Sequence, residues 1–284
     1  MSGTATFDEA GYRAEMRADW DAAGAEIVEY VDDLESGLGL VSRRLIELAG
    51  LRPGQTVLDL GTGYGEPALG AARAVGPSGR VIGVDLSPVM IEVARRRAAG
   101  LGNVEFEAAD FGAVARADGS VDAVLSRFAL MLATDRTRLF EGCARMLVPG
   151  GVLAAAVWGP PTANLFVTGL VALTRELGLP SPPPDRPGAF ALSSSELIVE
   201  ELRAAGFAEV DVEELVVPFR FADAARYAGL TQVVMPRGLH RLAVQRLGSE
   251  DALRELFERA AAAHLDPDGS LPLPSLAYCV RAHT

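Results

Sequence analysis

The sequence predicts an α/β fold built on a doubly wound, mostly parallel sheet. Three observations carry this. Short apolar runs of strand length alternate with helix-length segments along the first 160 or so residues. The first run, Val57-Leu58-Asp59-Leu60, opens directly into a glycine-rich loop and then an Ala/Leu-rich helical stretch. The fifth run, Val152 to Val157, is apolar throughout, as a strand buried on both faces should be. At 284 residues and 49% hydrophobic composition, the chain can bury a sizeable core as one large domain or a domain with a cap.

The bulk properties exclude several function classes. A net charge of −12 argues against a nucleic-acid partner held through phosphates. No apolar run reaches about 18 residues, so no membrane span is expected. MSGTATFDEAGYRAEM lacks a basic-then-apolar leader pattern, which makes cytoplasmic residence the default expectation. Cys143 and Cys279, and the three histidines His240, His264 and His283, show no metal-ligand spacing, so no bound metal is expected. All 26 basic residues are arginine, which rules out Schiff-base and P-loop lysine chemistry.

Taken in order, residues 1 to 22 place Tyr12, Met16 and Trp20 at i, i+4 and i+8, one face of a helix. That face either packs on the body or forms a lid over a pocket. Residues 25 to 49 continue helically, with a break expected near Gly37 and Gly39. Leu51-Arg52-Pro53-Gly54 then turns into the first strand. Gly61, Gly63 and Gly65 follow it, and Pro67 suits the first turn of a helix. The second strand, Arg80 to Asp85, leads to Ser87-Pro88, an N-cap with proline at the first helical position. Arg95-Arg96-Arg97 reads as a solvated helical face, with phosphate binding as the lesser alternative. The third strand, Val104 to Ala108, ends at Asp110-Phe111. The fourth, Val121 to Ser126, ends at Ser126-Arg127-Phe128. Leu130 to Met146 has the pattern of one amphipathic helix, stopped by Leu147-Val148-Pro149-Gly150-Gly151. Further on, Thr162 to Gly178 reads as a helix, Leu179 to Pro187 as an exposed proline-rich loop, and Ser193 to Ala205 as a serine-capped helix. Val210 to Phe221 and Leu271 to His283 read as strands around a mainly helical stretch, 222 to 264.

A glycine loop between strand and helix lets a ligand approach bare backbone. A dinucleotide wants G-x-G-x-x-G, but Glu66 occupies the third position, where a carboxylate would repel pyrophosphate. Asp59-Leu60-Gly61-Thr62-Gly63-Tyr64-Gly65 instead matches [D/E]-x-G-x-G-x-G, which suits a ligand with an ammonium and a sulfonium but no phosphate. Asp85, 20 residues beyond Gly65, can accept from both hydroxyls of a ribose. Asp110 lies where a side chain can accept from an adenine amino group, although a turn or cap role is its plainer reading.

With the acid-led glycine loop, the acids after strands two and three, and LVPGG before strand five all in order, residues 40 to 160 resemble the class I S-adenosylmethionine-dependent methyltransferases. SRFALM and AAAVWGPP resemble the ubiquinone/menaquinone-biosynthesis-like small-molecule group within them. The resemblance implies a Rossmann-like sheet of seven strands with an antiparallel last strand and helices on both faces. It implies a helical N-terminal lid (1–40), a cofactor-binding core (41–160), and cap helices with the last two strands completing the sheet (161–284). The implied cofactor is S-adenosyl-L-methionine, held by Asp59, Gly61, Thr62, Gly63, Gly65, Asp85, Leu86, Asp110, Phe111 and Ser126. Trp20, Tyr64 and Phe128 are candidates for contacting the acceptor. No confident general base emerges; His240, Tyr12, Tyr30 and Arg127, with Asp19, are the candidates. The apolar cap residues Trp20, Phe166, Phe190 and Met235 suggest a hydrophobic small-molecule acceptor. A homodimer is left open. The alternatives are a non-methylating cyclisation on the same cofactor, or a nicotinamide-dependent reductase that tolerates Glu66.

Overall fold

A computed structural model describes residues 7–180 and 186–284. The first six residues of the expected lid, and the centre of the proline-rich stretch at 181–185, lie outside the described residues. The chain forms one seven-stranded sheet flanked by helices. The strands are β1 (Thr56–Leu60), β2 (Arg80–Asp85), β3 (Val104–Ala108), β4 (Val121–Arg127), β5 (Leu147–Trp158), β6 (Glu209–Phe221) and β7 (Leu271–His283). Their order across the sheet is β3-β2-β1-β4-β5-β7-β6. The first five pair in parallel, and β7 runs antiparallel to both β5 and β6. Strand order therefore reverses beside β1, the place where open α/β sheets leave a crevice at their carboxyl ends.

The helices are α1 (Glu9–Glu26), α2 (Val31–Ala49), α3 (Ala68–Val75), α4 (Pro88–Arg97), α5 (Arg136–Met146), α6 (Thr168–Glu176), α7 (Ser195–Ala204), α8 (Ala224–Val234), α9 (Arg237–Leu247) and α10 (Glu250–Ala261). α2, α3 and α4 cover one face of the sheet through Leu45, Leu69 and Ile91. α5 and α7 cover the other through Phe140, Cys143 and Ile198. A smaller core under α6, α8, α9 and α10 is built on Leu173, Leu253 and Phe257. The caps follow the sequence: Ser87 accepts from Met90 N, and Ser194 from Leu197 N.

Four local expectations are corrected. The helical break expected near Gly37 and Gly39 is absent, and α2 runs through both. Gly37 is there for proximity, since a Cβ on it would lie 2.9 Å from the Phe219 ring of β6. The break falls earlier, in a 3-10 turn at Ile27–Tyr30. The helix expected over Leu130 to Met146 begins only at Arg136, because Asp135 caps it by accepting from Arg138 N. Leu130–Leu132 is a separate 3-10 turn. Thr162 to Gly178 likewise breaks into two 3-10 turns before α6, with Asn164 Nδ2 donating to the carbonyls of Gly159 and Pro160. LVPGG belongs to β5: Leu147 pairs with Val121 and Val152 with Ala123, so the Pro-Gly-Gly segment bulges out of the ladder.

Candidate active site

At the carboxyl ends of the parallel strands, the loop after β1 is tied to its neighbour. Gly61 N and Thr62 N both donate to the Val84 carbonyl, at 2.8 and 2.9 Å. Gly61 adopts φ +72°, and a Cβ there would overlap the Ala129 methyl group. Gly63 (φ +53°) faces open space, with nothing within 4 Å of where a Cβ would stand. Bare backbone is thus presented to a cavity of about 420 Å³ that Gly61, Thr62 and Gly63 line. Gly65 turns the other way: a Cβ on it would sit 3.2–3.3 Å from Leu69 and Ala94. It brings α3 and α4 against the loop and does not line the cavity.

Asp85 stands beside this cradle. Its Oδ2 accepts from Gly63 N at 2.8 Å and its Oδ1 from Ser87 N at 2.9 Å. Each oxygen keeps acceptor capacity on the cavity side. Burial raises the Asp85 carboxyl above its ordinary value, while those backbone donors pull the other way. Asp110, beyond β3, accepts from Gly112 N through Oδ1, and its Oδ2 lies 3.7 Å from Arg13 Nε. Leu86 and Phe111 complete this end of the cavity.

α1 forms one wall of the cavity, and the face expected for a lid lines it through Tyr12, Met16 and Trp20. The helix is fastened from several elements. Arg13 donates to Thr134 Oγ1 (3.1 Å), Asp21 accepts from Ser87 Oγ (2.6 Å), and Asp19 accepts from Arg237 N (2.9 Å). The Tyr12 hydroxyl is buried without a partner among the described residues, and burial, with Asp19 nearby, pushes it up to about 12.

The opposite end is aromatic. Phe128 and Trp158, at the ends of β4 and β5, stack with ring centroids 3.8 Å apart and planes 13° apart. Phe166 continues the wall and also lines the cavity. Phe128 holds φ +59°, unusual for a side chain of its size, fixed by its N–H donating to Ala156 O at 2.8 Å.

Between the two ends lies a buried charged cluster. Arg127 Nη1 reaches Glu35 Oε1 (2.8 Å) and Ser42 Oγ (2.8 Å), and Nη2 donates to the Tyr64 hydroxyl (3.0 Å). Tyr64 donates to Glu35 (2.7 Å), and the guanidinium groups of Arg97 and Arg127 lie 5.1 and 5.5 Å from its ring centroid. Burial drives the Tyr64 hydroxyl well above its ordinary range, so it holds its proton.

Other sequence candidates lie elsewhere. Asp59 is fully buried beneath the loop, and its Oδ2 accepts from Ala68 N at 3.1 Å. Burial pushes its carboxyl up to about 7. The Thr62 hydroxyl favours the charged form from close by, but outside the geometry of a formed hydrogen bond. Ser126 Oγ donates to Leu60 O within the sheet. Tyr30 lies under the Arg226 guanidinium, against Gly229. His240 joins α9 to α10 through Glu250, 3.0 Å away. None of these four lines the cavity. Among the described residues no metal-holding group of His, Cys, Asp or Glu exists, and no helix is long and apolar enough to cross a membrane. Arg13, Glu35 and Trp158 went unidentified as site residues. Only Trp158 carried a local signal, its position at the carboxyl end of a buried strand.

Comparison with known proteins gives a matching domain and relatives over part of the chain. Residues 57–151 match the family model described as a methyltransferase domain. An arsenite methyltransferase of Halobacterium salinarum is 42% identical over 142 residues, 47% of this chain and 36% of that protein. A ubiquinone/menaquinone biosynthesis C-methyltransferase of Hydrogenovibrio crunogenus is 37% identical over 130 residues, 45% of this chain and 51% of that protein. The match thus spans about a third to a half of these relatives' length. The YcgJ protein of Bacillus subtilis shares the fold, with a TM-score of 0.55 at 22% identity over 87% of this chain and 97% of that one.

Proposed function

We propose, from the premise that residues 57–151 form a class I S-adenosylmethionine-dependent methyltransferase domain, that the whole chain methylates a small, hydrophobic, flat acceptor. The observation that carries this reading is the order of functional groups across the top of the sheet. Asp110, Asp85, the glycine loop, Phe128 and Trp158 follow the ends of β3, β2, β1, β4 and β5, which is their lateral order in the sheet. Neighbouring strands are about 4.8 Å apart, so the row runs continuously from polar to aromatic.

The cavity fits an adenosine with an amino-acid tail. Gly63 leaves open space for it, and Asp85 keeps acceptor capacity for a ribose diol. Asp110 and Phe111 would hold the adenine. When bound, S-adenosylmethionine supplies a methyl group already activated by a sulfonium. The chain's own part is alignment and exclusion of water. Well-oriented intramolecular reactions gain up to about 7–11 kcal/mol from this. α1 covers the cavity, while Phe128 and Trp158 offer a flat apolar surface to the acceptor. Tyr12 and Tyr64 keep their protons near neutral pH. This favours acceptors that need no strong protein base.

Arsenite, the acceptor in one relative's name, is poorly served here. Arsenic(III) is thiophilic, whereas Cys143 and Cys279 are buried thiols pushed up to about 12, and neither lines the cavity. The reading is tested by thermal stabilisation with S-adenosylhomocysteine against NAD, then by transfer of labelled methyl to hydrophobic aromatic acceptors. Stabilisation by NAD alone would refute it.

A further inference from the structure

The sequence motif offers Asp59 as the acid for the cofactor's charged tail, yet Asp59 faces Ala68 N beneath the loop, out of the cavity. Another carboxylate does line it. Glu66 follows Gly65 directly, at the entry to α3, and its side chain is only 13% exposed. It accepts no hydrogen bond from any described residue. The nearest cation is Arg97, whose Nη2 lies 3.8 Å from Glu66 Oε1, too far for a hydrogen bond, and Arg97 Nη1 is committed to the Tyr64 carbonyl at 2.8 Å. The buried Arg127 guanidinium is likewise occupied by Glu35, Ser42, Leu38 O and Tyr64. A nearly buried carboxylate normally recruits donors from its own protein. This one lines the cavity, with its Oε1 toward Arg97 and its Oε2 on the side of α3 near Gly70.

We infer that Glu66 is the carboxylate that pairs with the ammonium group of the cofactor's amino-acid tail, and so selects a cationic tail over a phosphate at this end of the glycine loop. The inference rests on the cofactor reading above and assigns one of its contacts. Its place follows from the sheet: with Asp110 and Asp85 at the ends of β3 and β2, a ligand continuing along the loop after β1 next meets Glu66. Burial and the Glu35 charge raise its carboxyl, while Arg127, Arg97 and Arg73 pull the other way.

The test is calorimetric titration of the full chain and of Glu66→Gln with two probes. S-adenosylhomocysteine carries the ammonium; 5′-methylthioadenosine has the same nucleoside and sulfur but no amino-acid tail. The charge-assisted contact predicts that Glu66→Gln binds S-adenosylhomocysteine roughly ten- to hundredfold more weakly. It should bind 5′-methylthioadenosine with unchanged affinity. Equal weakening of both probes, or no weakening of either, would overturn the assignment. Failure of the unaltered chain to bind S-adenosylhomocysteine would instead overturn the cofactor reading. Should Glu66→Gln not fold, Glu66→Asp, which keeps the charge but withdraws it by one methylene, must show a smaller loss confined to the ammonium-bearing probe.

Discussion

Replacing Gly61 by alanine tests whether the loop is held by one steric contact. The added Cβ would overlap the Ala129 methyl. The next nearest atoms, Ala129 Cα at 3.7 Å and Phe111 Cδ1 at 4.0 Å, are at ordinary contact. One methyl group is therefore the whole obstruction. Overpacking of this kind costs about 1–3 kcal/mol, and a non-glycine residue at φ +72° adds about 1–2 kcal/mol. The combined loss of about 2–5 kcal/mol corresponds to a melting temperature lower by roughly 4–20 °C for a chain near this size. Adding Ala129→Gly removes the overlap but not the backbone strain, and brings its own cost of about 0.5–1 kcal/mol. The double variant should therefore melt above Gly61→Ala and below the parent. Urea denaturation of all four members of the cycle measures the coupling. A double variant no more stable than Gly61→Ala, or a Gly61→Ala protein as stable as the parent, would refute the argument.

Arg127→Met removes a buried guanidinium from Glu35, whose side chain is 22% exposed, so part of the stranded charge is solvated. It should cost about 1–3 kcal/mol in urea denaturation, with partial recovery when Glu35→Gln is added; no loss would refute the pairing. Asp85→Ala removes the acceptor for Gly63 N and Ser87 N together. It should weaken S-adenosylhomocysteine binding at least tenfold by calorimetry, and unchanged affinity would count against the site map. Trp158→Ala breaks the stack with Phe128 and should raise KM for an aromatic acceptor severalfold while leaving S-adenosylhomocysteine affinity unchanged, so equal losses in both would argue against two distinct ends. Asp59 has a folded-state pKa of about 7 against an ordinary 3.8, so the folded state keeps a proton that the unfolded chain releases. Its contribution to stability is full below about pH 4, is lost as the pH rises to about 7, and changes no further above that. Asp59→Asn should flatten this part of the urea-midpoint profile between pH 4 and 7, and a profile identical to the parent's would refute the assignment.

The parallel core was legible because its signals are local. Glycine, proline or an acid stands at or near the ends of most strands from β1 to β5, and each strand overlaps the span that periodicity gives it. The lid face was legible for the same reason, since Tyr12, Met16 and Trp20 need only the geometry of their own helix. The errors arose where a residue answers to a partner far along the chain. Gly37 looks like a helix breaker, yet it lies inside α2 because Phe219, 182 residues later, needs the space. The start of α5 depended on which of several polar residues would cap it, and Asp135 prevailed over the apolar periodicity from Leu130.

The site divides along the same line. The glycines, Asp85 and Asp110 sit at strand ends, so their positions at the top of the sheet could be read from sequence alone. Which carboxylate faces the cavity could not, because that depends on direction at the loop. Asp59 lies within β1, so its side chain must point to one face of the sheet, where α3 offers the Ala68 N–H. Glu66 stands at the far end of the loop, past the three positive-φ glycines Gly61, Gly63 and Gly65. The aromatic end was likewise invisible as a unit. Phe128 and Trp158 are 30 residues apart and meet only because β5 lies beside β4 in parallel. The same pairing gives Phe128 N its Ala156 acceptor, and so holds the φ that lays the ring on Trp158. Strand order, which no local pattern encodes, thus sets both where the polar row ends and where the aromatic wall begins.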